Sequence, residues 1–167
     1  MVVYAMKSFS RGPYRMAKTS DDLFKELEQS VIQDMEKLYS EKTIDHFLKP
    51  RNLGEMPGPD GFGRITGPCG DTMQIYLKVK DSKIVNASFW TDGCGPSIAS
   101  GSMITELVKG MSIADAERIT DQDLLSALGG LPADSLHCAS LAADSLREAI
   151  KHCLASKSEP RRKDYHR

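Results

Sequence analysis

The sequence predicts an α+β fold: a small antiparallel sheet of about three strands with helices packed on one face, plus an extra helix near the N-terminus. Three observations point there. Alternating apolar and polar residues are confined to one stretch, 73–91. Helical periodicity fills the chain before and after it, and a Gly- and Pro-rich segment separates the first helical stretch from the strands. Strands grouped as a meander, with helices segregated from them, are the mark of an α+β layer.

From Asp21 to Phe47, Leu23, Phe24, Leu27, Val31, Ile32, Met35, Leu38 and Tyr39 recur every three or four residues. Ser20 or Asp21 is expected to cap this helix and Pro50 to stop it, with a break near Ser40. Residues 54–70 carry too many Gly and Pro for an element interior and read as a loop, with one short strand through Arg64–Thr66. Met73, Ile75, Leu77 and Val79 alternate with polar neighbours, Asp81-Ser82 makes a tight turn, and Ile84–Thr91 returns with Val85, Ala87 and Phe89 on one face. A helix is expected from about Ser97 to Lys109, ended by Gly110, followed by short helices at Ser112–Arg118 and Asp121–Leu128. After Gly129-Gly130 a final helix runs from near Asp134 to about Leu154.

The chain has 167 residues, 40% hydrophobic and 27% charged, the composition of one soluble domain with a small appendage. No apolar run approaches the roughly 18 to 20 residues that span a bilayer, so no membrane role is expected. The net charge of −1 conceals an asymmetry. Residues 1–18 hold four basic groups and no acid, and residues 155–167 carry a surplus of three basic groups, which leaves an acidic body. Basic groups should line a nucleic-acid groove, so an acidic body with basic ends argues against nucleic acid as partner. The expected organisation is an N-terminal extension over 1–38, with a flexible start and then a helix, a functional domain over 39–154, and a basic, disordered tail over 155–167. The start lacks the continuous apolar stretch of a secretory signal, and the four cysteines then read as reduced thiols of a cytoplasmic protein.

Cys69, Cys94 and Cys138 fall at element boundaries, flanked in two cases by glycines that let backbone approach a ligand. At helix starts, Cys94 and Cys138 would feel a positive potential that lowers a thiol pKa. Asp71 lies two residues beyond Cys69, on the same side of an extended segment, and His137 precedes Cys138. Sulfur with one imidazole and one carboxylate suits zinc or an iron–sulfur cluster. A cysteine-nucleophile enzyme and a set of unlinked thiols remain open at this point. Cys153, fifteen residues beyond Cys138 on one helix, stands roughly 22 Å away along the axis and reads as a small buried hydrophobe. His46, His152 and His166 read as structural or solvated. The glycines from Gly61 to Gly67 have one residue too many between the last pair for a dinucleotide loop.

The stretches YSEKTIDHFLKPRNLG (39–54), GPCGDTMQIYLKV (67–79), FWTDGCGPSIASGSMITELVKG (89–110) and LHCASLAADSLREAI (136–150) resemble the iron–sulfur cluster assembly scaffold of the IscU type, related to the N-terminal domain of NifU. The resemblance covers about residues 39–154. It implies a non-enzymatic scaffold that builds a [2Fe–2S] cluster from iron and the persulfide sulfur of an IscS/NifS-type cysteine desulfurase. The cluster then passes to apo iron–sulfur acceptor proteins. It also implies that Cys69, Asp71, Cys94, His137 and Cys138 hold the cluster, or zinc in its place, and that Cys138 receives the sulfur. A homodimer is left open. Two features depart from the family pattern. Leu131-Pro132-Ala133-Asp134-Ser135 replaces the Leu-Pro-Pro-Val-Lys read by a dedicated Hsp70 chaperone, so that partner is not expected, and residues 1–38 extend beyond the usual start. The competing readings are a zinc-bound, persulfide-accepting sulfur transferase and a non-catalytic structural or redox-sensing zinc module. The 44-residue step from Cys94 to Cys138 and the presence of His137 favour the scaffold.

Overall fold

A computed structural model describes residues 19–158. The chain divides between Asp34 and Met35 into two compact units. Residues 1–18, with their expected flexible start, and the tail beyond 158 lie outside the described residues.

Helix α1 (Ser20–Glu36) starts at a reciprocal cap one residue earlier than expected. Thr19 Oγ1 accepts the Asp22 N–H (3.3 Å), and the Asp22 carboxylate accepts the Thr19 N–H (3.2 Å). No α1 residue is buried. The expected break falls at Ser40, whose hydroxyl accepts the Thr43 N–H and caps α2 (Glu41–Leu48).

The sheet has the order β1-β2-β3, all antiparallel, with β1 Gly61–Thr66, β2 Thr72–Lys80 and β3 Lys83–Thr91. Strand β1 begins three residues earlier than the sequence predicts, and its glycines are the reason. A Cβ on Gly61 would stand 2.5 Å from the Ala149 carbonyl oxygen, and one on Gly63 would collide with the Ser145 carbonyl. Glycine thus weakens the strand signal in order to admit the backbone of the last helix. The turn is as expected: Asp81 and Ser82 both take positive φ, as a two-residue hairpin loop requires.

In β3 the expected inward set is corrected. Lys78 pairs with Asn86 but Val79 pairs with Ile84, which leaves Val85 as the extra residue of a bulge. Ile84, Ala87 and Phe89 are buried while Val85 is exposed, because the bulge shifts the alternation by one.

Helices α3 (Gly95–Val108), α4 (Ile113–Ala116) and α5 (Asp121–Leu128) follow. A single 3-10 turn (Ala133–Ser135) leads into α6 (Leu136–Ser158). Residues 155–158, expected in the tail, continue α6. Helices α3 and α6 cover one face of the sheet, α6 along β1 and β2 and α3 along β3 and β2. Between them lies one core of Met73, Ile75, Leu77, Phe89, Ile104, Leu146, Ile150 and their neighbours. Cys153 is buried in this core with its Cβ under Gly61, as its helical spacing predicts.

Candidate functional site

Three chain segments meet at one end of the sheet: the β1–β2 loop with Cys69 and Asp71, the β3–α3 junction with Cys94, and the first turn of α6 with His137 and Cys138. Hydrogen bonds lock the first two segments together. Asp92 Oδ1 accepts the Thr72 N–H (2.6 Å), Thr91 Oγ1 donates to the Thr72 carbonyl (2.8 Å), and the Gly93 N–H donates back to Thr91 Oγ1 (3.1 Å). Cys94 is the N-cap of α3, in extended geometry, and Pro96 occupies the first turn, where its missing N–H costs nothing.

The side chains converge on a residue the sequence did not single out as chemical. Ser97, fully buried in the first turn of α3, donates its hydroxyl hydrogen to Asp71 Oδ2 (3.0 Å). Ser97 Oγ also lies 3.3 Å from Cys138 Sγ and 3.7 Å from Cys94 Sγ. Asp71 Oδ2 also accepts the Cys94 N–H at 3.4 Å. His137 Nε2 stands 3.6 Å from Cys138 Sγ. Asp71, Cys94, His137 and Cys138 are therefore brought together. Cys69 makes none of these contacts: it is exposed on a turn, close enough for its charge to act on Cys138. The extended reading of Cys69 to Asp71 does not hold, because Gly70 between them takes φ +90° and reverses the chain.

Among the described residues, no three Cys, His, Asp or Glu side chains stand close enough together to grip a metal ion as they are. The donors are grouped around a hydroxyl rather than closed upon a common centre. Their chemistry, thiols with a carboxylate and an imidazole, fits zinc or iron.

A second expectation is also corrected. The start of α6 does not lower the Cys138 pKa. Burial pushes the thiol up to about 12, against a smaller opposing effect from the Ser97 hydroxyl, with Cys94 and Cys69 adding to the rise. The thiol is enclosed, and withdrawing a charge from water outweighs a helix dipole acting over one turn. Burial thus favours the neutral form of the Cys138 thiol.

Ser97 escaped the sequence reading because a serine in the first turn of a helix is ordinary there. Its near-invisible signal was Gly93, where a Cβ would fall 2.6 Å from Asp71 Oδ2 and 2.7 Å from Ser97 Oγ. Beside Cys94 opens an apolar cavity of about 300 Å³ lined by Met35, Tyr39, Ile44, Phe47 and Pro96. Of the remaining histidines, His46 is buried and His152 Nδ1 accepts the Phe62 N–H (3.3 Å), both structural as expected. His166 lies outside the described residues.

Residues 38–159 match the model of a family described as the NifU-like N terminal domain. The chain is 50% identical over 114 residues to the iron-sulfur cluster assembly scaffold protein IscU 1 of Archaeoglobus fulgidus, covering 68% of this chain and 74% of that one. It is 44% identical over 117 residues to the iron-sulfur cluster assembly scaffold protein IscU of Escherichia coli, covering 67% of this chain and 91% of that one. Among solved structures, the N-terminal part of a NifU-like protein from Brucella abortus shares the fold, with a TM-score of 0.59 at 16% identity over 72% of this chain and 97% of that one.

Proposed function

The chain belongs to the NifU-like N-terminal domain family, and from that membership we propose that it is a scaffold of iron–sulfur cluster assembly on which a [2Fe–2S] cluster is built and then released to apo-proteins. Its relatives are named as scaffold proteins rather than enzymes. The observation that carries the reading is the convergence of Asp71, Cys94 and Cys138 on one buried hydroxyl at the meeting of three loops. Thiolates bind iron firmly, whereas a carboxylate is a harder and weaker partner for it. Asp71 is then the position through which the cluster leaves.

Sulfur comes from the persulfide of a cysteine desulfurase. As the Cys138 sulfur attacks the outer sulfur, the desulfurase S–S bond breaks, and the thiol proton of Cys138 passes to the departing thiolate. Cys138 then carries the persulfide. Reduction of each transferred sulfur to sulfide takes two electrons from an electron-transfer partner. Cys69 and His137 complete the ligand set at the rim, and zinc occupies the same donors when no cluster is present. Among the described residues, no helix is long and apolar enough to cross a membrane. The cytoplasm is the compartment we propose.

Anaerobic reconstitution with iron, cysteine and a desulfurase tests this. The expected result is equimolar iron and acid-labile sulfide, with visible charge-transfer absorption that is lost in Cys69→Ser, Cys94→Ser or Cys138→Ser. Asp71→Ala should retain its cluster and slow its transfer to an acceptor several-fold. Mass spectrometry of desulfurase-treated variants should show sulfur addition lost only in Cys138→Ser. Retained zinc with no cluster, but with sulfur accepted on a cysteine, would move the protein to the sulfur-transfer class.

A further inference from the structure

We propose, on the basis of the assembly-site reading above, that Ser97 is a positioning residue: its hydroxyl holds the Asp71 carboxylate in the orientation from which Asp71 meets metal beside Cys94 and Cys138. Ser97 is fully buried, and all its side-chain hydrogen-bond partners belong to the candidate site. Other serines of α3 behave differently. Ser102 takes the Arg51 N–H and faces His46, and Ser100 Oγ is buried with no hydrogen-bond partner among the described residues.

A hydroxyl has one proton to give. A carboxylate is the strongest acceptor within reach, so that proton goes to Asp71 at 3.0 Å and the sulfurs face the lone pairs of the same oxygen. Asp71 Oδ2 is thereby fixed by Ser97 Oγ and the Cys94 N–H, which leaves Oδ1 outside both bonds. Gly93 permits the arrangement, since any Cβ there would collide with both partners, 2.6 Å from Asp71 Oδ2 and 2.7 Å from Ser97 Oγ. Outer partners of this kind orient a ligating carboxylate and tune how firmly it binds.

The test uses the full chain with cobalt(II), which occupies tetrahedral zinc-type sites and reports them by visible absorption. Ser97→Ala should weaken cobalt binding about 10- to 100-fold and shift the d–d bands, while the thiolate-to-cobalt charge transfer persists. In an Asp71→Ala background the same substitution should change affinity by less than about twofold, because its effect passes through the carboxylate. Gly93→Ala, which reaches the same bond from the other side, should reproduce the loss. Wild-type affinity in Ser97→Ala, or an equal loss in both backgrounds, overturns the role of Ser97 and leaves the assembly site standing. A wild-type chain that develops no thiolate-to-cobalt charge transfer overturns the assembly-site reading itself, and this one with it.

Discussion

His46 is buried, with Nδ1 2.8 Å from Ser102 Oγ and Nε2 3.7 Å from Glu106 Oε2. Burial lowers its pKa first, and the Arg51 guanidinium lowers it further. Glu106 and Asp45 oppose the change and Lys42 adds to it. The folded state therefore favours the neutral ring. Because the folded pKa lies below the unfolded one, this contribution is present above the unfolded value near 6.5 and is lost as pH falls below it. The urea midpoint of the metal-free protein should drop between about pH 7.5 and about pH 5.5, and His46→Asn should flatten that part of the acid limb. Equal slopes in both proteins would remove His46 as the cause. The thiols make a second residue-scale prediction. In the metal-free protein near neutral pH, iodoacetamide should label exposed Cys69 and Cys94 well before enclosed Cys138, as peptide mass spectrometry would show.

Strand β1 and helix α6 approach backbone to backbone, and the missing Cβ atoms of Gly61 and Gly63 allow it. Gly63→Ala should destabilise the protein by about 1–3 kcal/mol or more, since the obstacle is main chain that cannot rotate away. Chemical denaturation would read the loss, and a neutral effect would mean that α6 shifts at little cost. The bulge in β3 makes a paired prediction. Ile84→Ala should cost about 2–5 kcal/mol, whereas Val85→Thr, on an exposed residue, should stay within about 0.5 kcal/mol. The hairpin itself was legible, because alternation and a two-residue turn are local. The bulge was not, because Val85 is as apolar as Ile84, and only the register with β2 decides which of them turns inward.

At the scale of the whole molecule, every described residue of the first unit is exposed, while the second holds the core. Removing residues 1–34 should leave the unfolding free energy of the remainder, read by urea denaturation, within about 0.5 kcal/mol of the full chain, and a large loss would assign those residues a structural task. The α+β class, the helix break at Ser40, the tight turn and the boundary positions of Cys69, Cys94 and Cys138 were determined in the sequence alone. Each rests on periodicity, capping or turn chemistry that acts within a few residues. The partners of a buried hydroxyl do not: Ser97 meets Asp71 from 26 positions away and Cys138 from 41. Only the tertiary structure decided that Ser97 lies at the centre of the site and that Cys138 is enclosed, where burial favours its neutral form. It also decided that Cys69 stands at the rim. Burial and long-range contact are properties of the packed chain, and a side chain's proton affinity follows from them.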